Sequence, residues 1–421
     1  MHFAGALLLL VPLVLGVSPA ATAQDVLIRG AKVHTAGERG TLDDADVSIR
    51  GGRIVEVGQA LAAPPGATVV EAAGRPLTPG FFGGITAIGV EEISLEPSTV
   101  DNSPTHGDGK GAFEPRPEFD VTRAFNPDSV VIGVNRLEGV THAMVAPSAS
   151  EGGTVLAGQG AVARLDGRWD AFAPASRTLF VDLGARASQA SAHTRAAQFM
   201  LLEQAVGEAR PGPRPLDSDF RLLTPQGRAV LARYLSGGRI AFRVDRAADI
   251  RQVLDFASAT GAKPVIVGGA QAWQVAGLLA KARVPVVLDP LSNLPMSFDQ
   301  LGATLENAAR LHEAGVPIVF TNLITPTHNA YQVRQAAGVA VAHGLPWDAA
   351  LAALTRVPAQ TFGLGAELGE IAPGRAADLV LWSGDPFEVT TVAEQVWIDG
   401  RAQSMRSRQT ELRDRYRPAS P

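Results

Sequence analysis

Between residues 79 and 365 the sequence switches again and again between two periods. Short apolar runs at Phe82–Ile88, Val140–Val145, Thr178–Leu183, Ile240–Val244, Pro264–Val267, Pro285–Leu288 and Pro317–Phe320 read as buried strands. Between most of them lie Ala- and Leu-rich helical runs such as Ala247–Thr260, Ala270–Lys281 and Leu301–Ala314. A helix that returns the chain to the same edge of a strand demands a parallel sheet. Seven visible strands in this span predict a (β/α)8 barrel with one strand unplaced. A doubly wound sheet is the alternative, and the first βα turn lacks the G-x-G-x-x-G phosphate loop that would favour it. With 46% hydrophobic and 19% charged residues in 421, the chain can bury a large core, which excludes general disorder. A net charge of −5, with no Lys/Arg block outside the C-terminus, argues against nucleic acid as the main partner. The absence of cysteine excludes disulfides, thiolate metal sites and Cys nucleophiles.

The flanks are of a different kind. Val26–Gly30 and Ala45–Val57 alternate apolar residues around the Gly51-Gly52 turn, and Ala377–Trp382 and Val396–Arg401 share that character. The predicted class is therefore α/β, a TIM-like barrel plus a small β-sandwich domain built from both ends of the mature chain. The expected boundaries are residues 24–78 and 366–404 for the composite β-sandwich, 79–365 for the barrel and 405–421 for an Arg-rich tail. The tail's six arginines from Arg401 onward, against Glu411 and Asp414, read as a solvated segment or an anionic docking site. Residues 1–23 read as a signal peptide. No Asp, Glu, Lys or Arg precedes Asp25, and the apolar run Phe3–Val17, broken by Pro12, leads to Ala21-Thr22-Ala23. Export to the periplasm or the outside, with no membrane contact after cleavage, is the expectation. A retained anchor competes, although about 18–20 unbroken apolar residues are usually needed to span a bilayer. Leu95–Ser129 and Ala209–Pro225 are long Pro-rich connections, and the first is expected to sit over the barrel mouth.

Several motifs resemble the amidohydrolase superfamily, especially its imidazolonepropionase-like members. Gly52-Arg53-Ile54-Val55-Glu56-Val57-Gly58 is similar to the family's first hairpin, and Glu71–Gly80 to its approach to barrel strand 1. Asn126-Pro127-Asp128-Ser129 with Gly139-Val140-Thr141 resembles the second-strand unit. Gly369-Glu370-Ile371-Ala372-Pro373-Gly374-Arg375-Ala376-Ala377-Asp378-Leu379-Val380, with Asp385-Pro386 and Ile398–Arg401, resembles the closing unit. The resemblance implies hydrolysis of non-peptide C–N bonds assisted by one or two divalent metals, commonly Zn. It also implies ligands in an H-x-H at the end of strand 1, His on strands 5 and 6, and Asp on strand 8. Those positions map onto Ile85 and Ala87, Arg243, Gly268, and Asn322 or a neighbour. None supplies the expected ligand, and a guanidinium opposes a cation. Metal is therefore not expected, because a few residual contacts cannot offset dehydration of the ion.

His34 belongs to the flanking β region, while His193, His312 and His343 lie in helical runs. His142, inside the second visible strand, reads as a core histidine or a pocket residue. His328 follows the last strand, near Asn322 and Thr325, on the face where barrel enzymes keep their sites. His106, with Asp101 and Asp108, falls in the long connection. Of Glu91 and Glu92 at most one faces the pocket, since neighbours in a strand point oppositely, and Glu92 is taken as the candidate. Asp182 and Asp289 end the third and seventh visible strands and serve either as an acid/base pair or as helix caps. Ser148, Ser150 and Thr154 lie in a Gly-rich loop without a nucleophile elbow. Arg243 either offers a site for an anion or forms a buried ion pair with Glu92 or Asp182.

Two readings follow. In one, the chain is a non-catalytic binding or partner subunit whose residual pocket is lined by Arg243, Asn322, Thr325, His328, His142 and Glu92. Its ligand is a small molecule, an anion among the options, and its partner a second copy or an intact amidohydrolase relative. In the other, it is an active C–N hydrolase with a rearranged site.

Overall fold

The computed structural model describes residues 25–104, 115–148, 155–185, 187, 194–210 and 221–417. The expected leader, His106, Asp108, Ser150, Thr154, His193 and most of the second Pro-rich connection lie outside the described residues.

Eight strands form the barrel sheet: β1 Phe81–Thr86, β2 Val140–Val145, β3 Leu156–Arg164, β4 Thr178–Asp182, β5 Arg239–Val244, β6 Lys263–Gly268, β7 Val286–Leu288 and β8 Ile318–Phe320. All seven strands visible in the sequence are present. The eighth is β3, in the stretch that follows the Gly-rich loop. It runs antiparallel to both β2 and β4, whereas the other neighbours pair in parallel. The sheet is thus not wholly parallel, and Asp182 ends the fourth barrel strand rather than the third. β3 was illegible because Gly158 and Gly160 break its apolar pattern. A Cβ at Gly160 would lie 2.2 Å from the Val145 carbonyl oxygen, so only glycine lets the strands approach there.

Strand alternation sorts side chains into an inner and an outer set. Phe82, Ile85, Met144, Phe180, Ala241, Val265, Val267, Val287 and Val319 pack inside the barrel. Phe242, Ile266, Leu288 and Phe320 face outward against helices such as Ala247–Thr260, which ends at Gly261 in the left-handed conformation. β1 and β8 close the ring at a seam made through a side chain, where the Ile85 N–H donates to Thr321 Oγ1 at 2.9 Å. Gly84, at φ +81°, makes room there, since a Cβ would sit 2.4 Å from that hydroxyl oxygen.

The flanking strands Val26–His34, Thr41–Arg50, Arg53–Gly58, Thr68–Glu71 and Pro76–Pro79 join Leu379–Trp382, Ala393–Ile398 and Arg401–Ala402 from the other end of the chain. Hydrogen bonds connect all eight strands through the antiparallel pairing of Pro76–Pro79 with Leu379–Trp382. Ile28, Val47, Ile54, Leu77, Leu379 and Trp397 form its core. Trp382 joins this sheet to the barrel floor: it stacks on Phe81 with ring centroids 5.1 Å apart and donates to Thr78 Oγ1 at 2.9 Å.

Residues 115–129 of the Leu95–Ser129 connection do not lie over the mouth. They run along β3, where the Gln159 N–H donates to the Phe119 carbonyl at 2.7 Å. The tail contains the exposed helix Arg408–Tyr416, begun by a reciprocal Ser407–Thr410 capping box. Among the described residues, no helix is long and apolar enough to cross a membrane.

Candidate functional site

The five positions that the resemblance assigns to metal ligands converge on the C-terminal end of the barrel, and each is occupied in a way that opposes an ion. Ile85 and Ala87 are buried at 6% and 5% exposure, Ile85 within the inner core. Gly268 has φ +95°, a conformation that L side chains rarely adopt, so a ligating side chain there would be strained. Asn322 is fully employed in shaping the loop after β8. Its Oδ1 accepts from the N–H groups of Ile324 and Thr325 at 3.0 and 2.9 Å. Its Nδ2 donates to Thr325 Oγ1 and the Asn329 carbonyl, both at 3.2 Å.

Arg243 follows Ala241 by two residues and so points inward as well. Its Nη1 donates to both oxygens of Asp182, at 3.1 and 3.3 Å, and its Nη2 to the Pro147 carbonyl at 2.6 Å. The guanidinium carbon lies 4.8 Å from the Phe180 ring centroid. Of the two partners open to Arg243 in the sequence, Asp182 is the one it takes. The donor set does not fit a divalent ion: it holds a permanent cation, two apolar side chains and a glycine, which has no side chain to ligate with. Among the described residues, no cluster of three or more His, Asp or Glu side chains offers another cradle.

Above these residues, at the barrel mouth, lies a cavity of about 620 Å³, bounded by the ends of β4 to β7 and the loops after β7 and β8. Of the pocket candidates, only Arg243 is among its described lining residues. Asn322 and Thr325 frame the loop behind Leu323 and Ile324, which do line it. Asp289 is buried at the end of β7, where its two oxygens accept the N–H groups of Leu291 and Leu323 at 2.9 and 3.0 Å. Burial pushes its carboxyl up, and those two N–H groups pull it back. It therefore acts as a loop cap, one of the two roles open to it in the sequence.

The remaining candidates are spread out. His328 is exposed beyond β8. Glu91, not Glu92, is the partner it faces: Glu91 Oε2 accepts from Asn102 Nδ2 at 3.1 Å, and Asn102 Oδ1 accepts from Ser148 Oγ at 3.1 Å. Burial raises the Glu91 carboxyl, opposed by His328. Glu92 is held through its backbone, its N–H donating to the Thr99 carbonyl at 3.1 Å. His142 lies at the other end of the barrel, its Nδ1 3.9 Å from Asp378 Oδ2, beside a void of about 20 Å³. That space fits one water rather than a ligand. His142 and His328 are therefore not brought together.

Sequence reasoning passed over the loop after β7, where Leu291, Leu294 and Met296 line the cavity. Its apolar residues, spaced by Ser, Asn and Pro, follow neither the strand nor the helix period, which left no signal to follow.

Residues 253–402 match the sequence profile of the amidohydrolase family. Over 93 residues the chain is 42% identical to the amidohydrolase tasK of Hapsidospora irregularis, a stretch that makes up 22% of this chain and 9% of that protein. The fold is similar to that of an amidohydrolase from Thermotoga maritima MSB8, with a TM-score of 0.78 at 24% identity, covering 90% of this chain and 100% of the other. It is also similar to an adenosine deaminase from Xanthomonas campestris with bound Zn, with a TM-score of 0.53 at 17% identity, covering 93% and 98%. At these identities the two structures speak for the fold.

Proposed function

We propose that this chain, of which residues 253–402 match the amidohydrolase family, keeps that family's barrel without its metal-assisted chemistry. Hydrolysis of C–N bonds, usually with a metal such as Zn, is the superfamily's activity. In this chain the barrel, residues 79–365, serves as a non-catalytic binding or partner subunit. The composite domain of residues 24–78 and 366–404 supports it, and the leader at residues 1–23 directs export. One observation carries the reading: the Arg243 guanidinium points into the barrel and is bonded to Asp182 and the Pro147 carbonyl. A cation fixed there by a buried carboxylate repels a second cation and consumes the negative charge that would attract one.

The experiment is a metal assay of the purified full chain, for Zn, Mn and Fe, with and without added salts of each. The expected content is far below one ion per chain, with no hydrolysis of simple or cyclic amides. Stoichiometric metal, lost on chelation together with hydrolase activity, overturns the proposal.

A further inference from the structure

We propose that the cavity at the barrel mouth takes an uncharged, apolar small molecule. The inference rests on the non-catalytic reading above and narrows its ligand, because it turns on what the mouth leaves exposed once Arg243 closes the base of its cavity.

The volume, about 620 Å³, suits a small-molecule site. Four charged side chains are among its described lining residues, Arg243, Asp245, Asp289 and Asp299, and all four are already partnered within the protein. Arg243 is paired with Asp182. Asp245 accepts from the Ala270 N–H at 3.2 Å and from Gln300 Nε2 at 3.1 Å. Asp289 takes the two backbone N–H groups described above. Asp299 accepts from the Ala185 N–H at 2.7 Å and is ion-paired with Arg195. A charged ligand entering here would shed water without meeting a countercharge of its own, which is costly. An apolar ligand meets no such cost.

The walls and lip supply what an apolar ligand needs. Leu183 and Val267 line the inner part, and Leu291, Leu294, Met296 and Ile324 the outer part. Leu294, Met296 and Ile324 are 73%, 77% and 64% exposed. Single exposed apolar residues are ordinary; several gathered on the rim of one concavity mark a binding surface. From Pro290 to Leu305 the only charged residue is Asp299, so this stretch of the lip offers no cation to an acid or an anionic lipid surface. Methionine adds adaptability, because its unbranched chain fits irregular apolar shapes.

The experiment titrates the full chain with Nile red, an uncharged solvatochromic probe, and then displaces the dye with decanol, decanoate or decylamine below their aggregation limits. The expected result is saturable, blue-shifted emission at one probe per chain, displaced by decanol at least about tenfold more readily than by either charged analogue. Met296→Asp and, separately, Leu294→Asp lower the probe affinity by about tenfold without changing the melting temperature, since both side chains are exposed. Displacement by decanoate equal to or better than decanol overturns the proposal. So does unchanged affinity in both variants, or loss of self-association in them with probe binding intact, which assigns the lip to a second copy. Metal content and amide hydrolysis are measured on the same preparation. Hydrolysis with stoichiometric metal removes the non-catalytic reading, whereas preference for decanoate in a metal-free chain removes only this one.

Discussion

Each end of the barrel holds a buried pair of an acidic and a basic side chain, and the two pairs differ in kind. At the mouth, Arg243 and Asp182 are in direct hydrogen-bond contact, and a guanidinium stays charged at any physiological pH. At the floor, His142 and Asp378 stand 3.9 Å apart, and burial drives both toward their neutral forms, lowering the imidazole and raising the carboxyl. The floor is otherwise sealed by aromatic packing around Trp382, while the mouth opens into a cavity. The difference separates two uses of polar groups. The mouth pair occupies space where a reactive centre would stand; the floor pair is an accommodation between two packed elements.

The sharpest way to break this contrast is to damage the floor and look for an effect at the mouth. Trp382→Ala is expected to cost about 4 kcal/mol in urea unfolding, through loss of a fully buried indole, its stack on Phe81 and its bond to Thr78. Nile red binding should be unaltered in the fraction that stays folded. A loss of probe affinity in that fraction would mean that the two ends are coupled.

Arg243→Ala comes next, at roughly 3 kcal/mol, because it strands Asp182 as a buried, unpaired carboxylate. Replacing both partners, Arg243→Met with Asp182→Leu, should recover most of that loss, since two apolar side chains leave no charge behind. If the single and double variants are equally unstable, packing on Phe180 rather than the ion pair holds the mouth together.

The smallest effect belongs to the floor pair. A histidine held below its ordinary value of 6.5 gives stability that is complete above that pH and lost as pH falls toward the folded value. Asp378, held above its ordinary value, acts the other way and loses stability as pH rises through its folded value. His142→Gln should therefore flatten the decline of stability between pH 7 and 5, by on the order of 1 kcal/mol, as read by chemical denaturation at each pH. An unchanged slope would show that another group sets the acid limb.

Much of this molecule could be read from its residues. Buried parallel strands announce themselves as unbroken apolar runs, which is why β1, β2 and β4 to β8 were visible. β3 was not, because its glycines serve close backbone contacts rather than a pattern. The assignment of Ile85, Ala87 and Gly268 to ligand positions rests on the resemblance to the amidohydrolase family, not on any pattern internal to the sequence. What spacing could not supply was partnership. The choice of Asp182 over Glu92 for Arg243 follows from register, since the two residues face each other on the adjacent strands β4 and β5, and that of Glu91 over Glu92 from how the loop after β1 folds back on itself. The apolar lip was missed for a simpler reason: a loop has no period to betray which of its residues share a concavity.

The seam between β1 and β8 joins Ile85 to Thr321, residues 236 positions apart, through a side-chain hydroxyl. By contrast, the antiparallel run from β2 through β4 pairs neighbours in sequence. Closing a long loop carries the larger entropic cost, and contacts of long range form late. The barrel thus has a built-in order of assembly, with the meander formed early and the seam last. When thermal motion loosens the ring, it should part first beside Gly84.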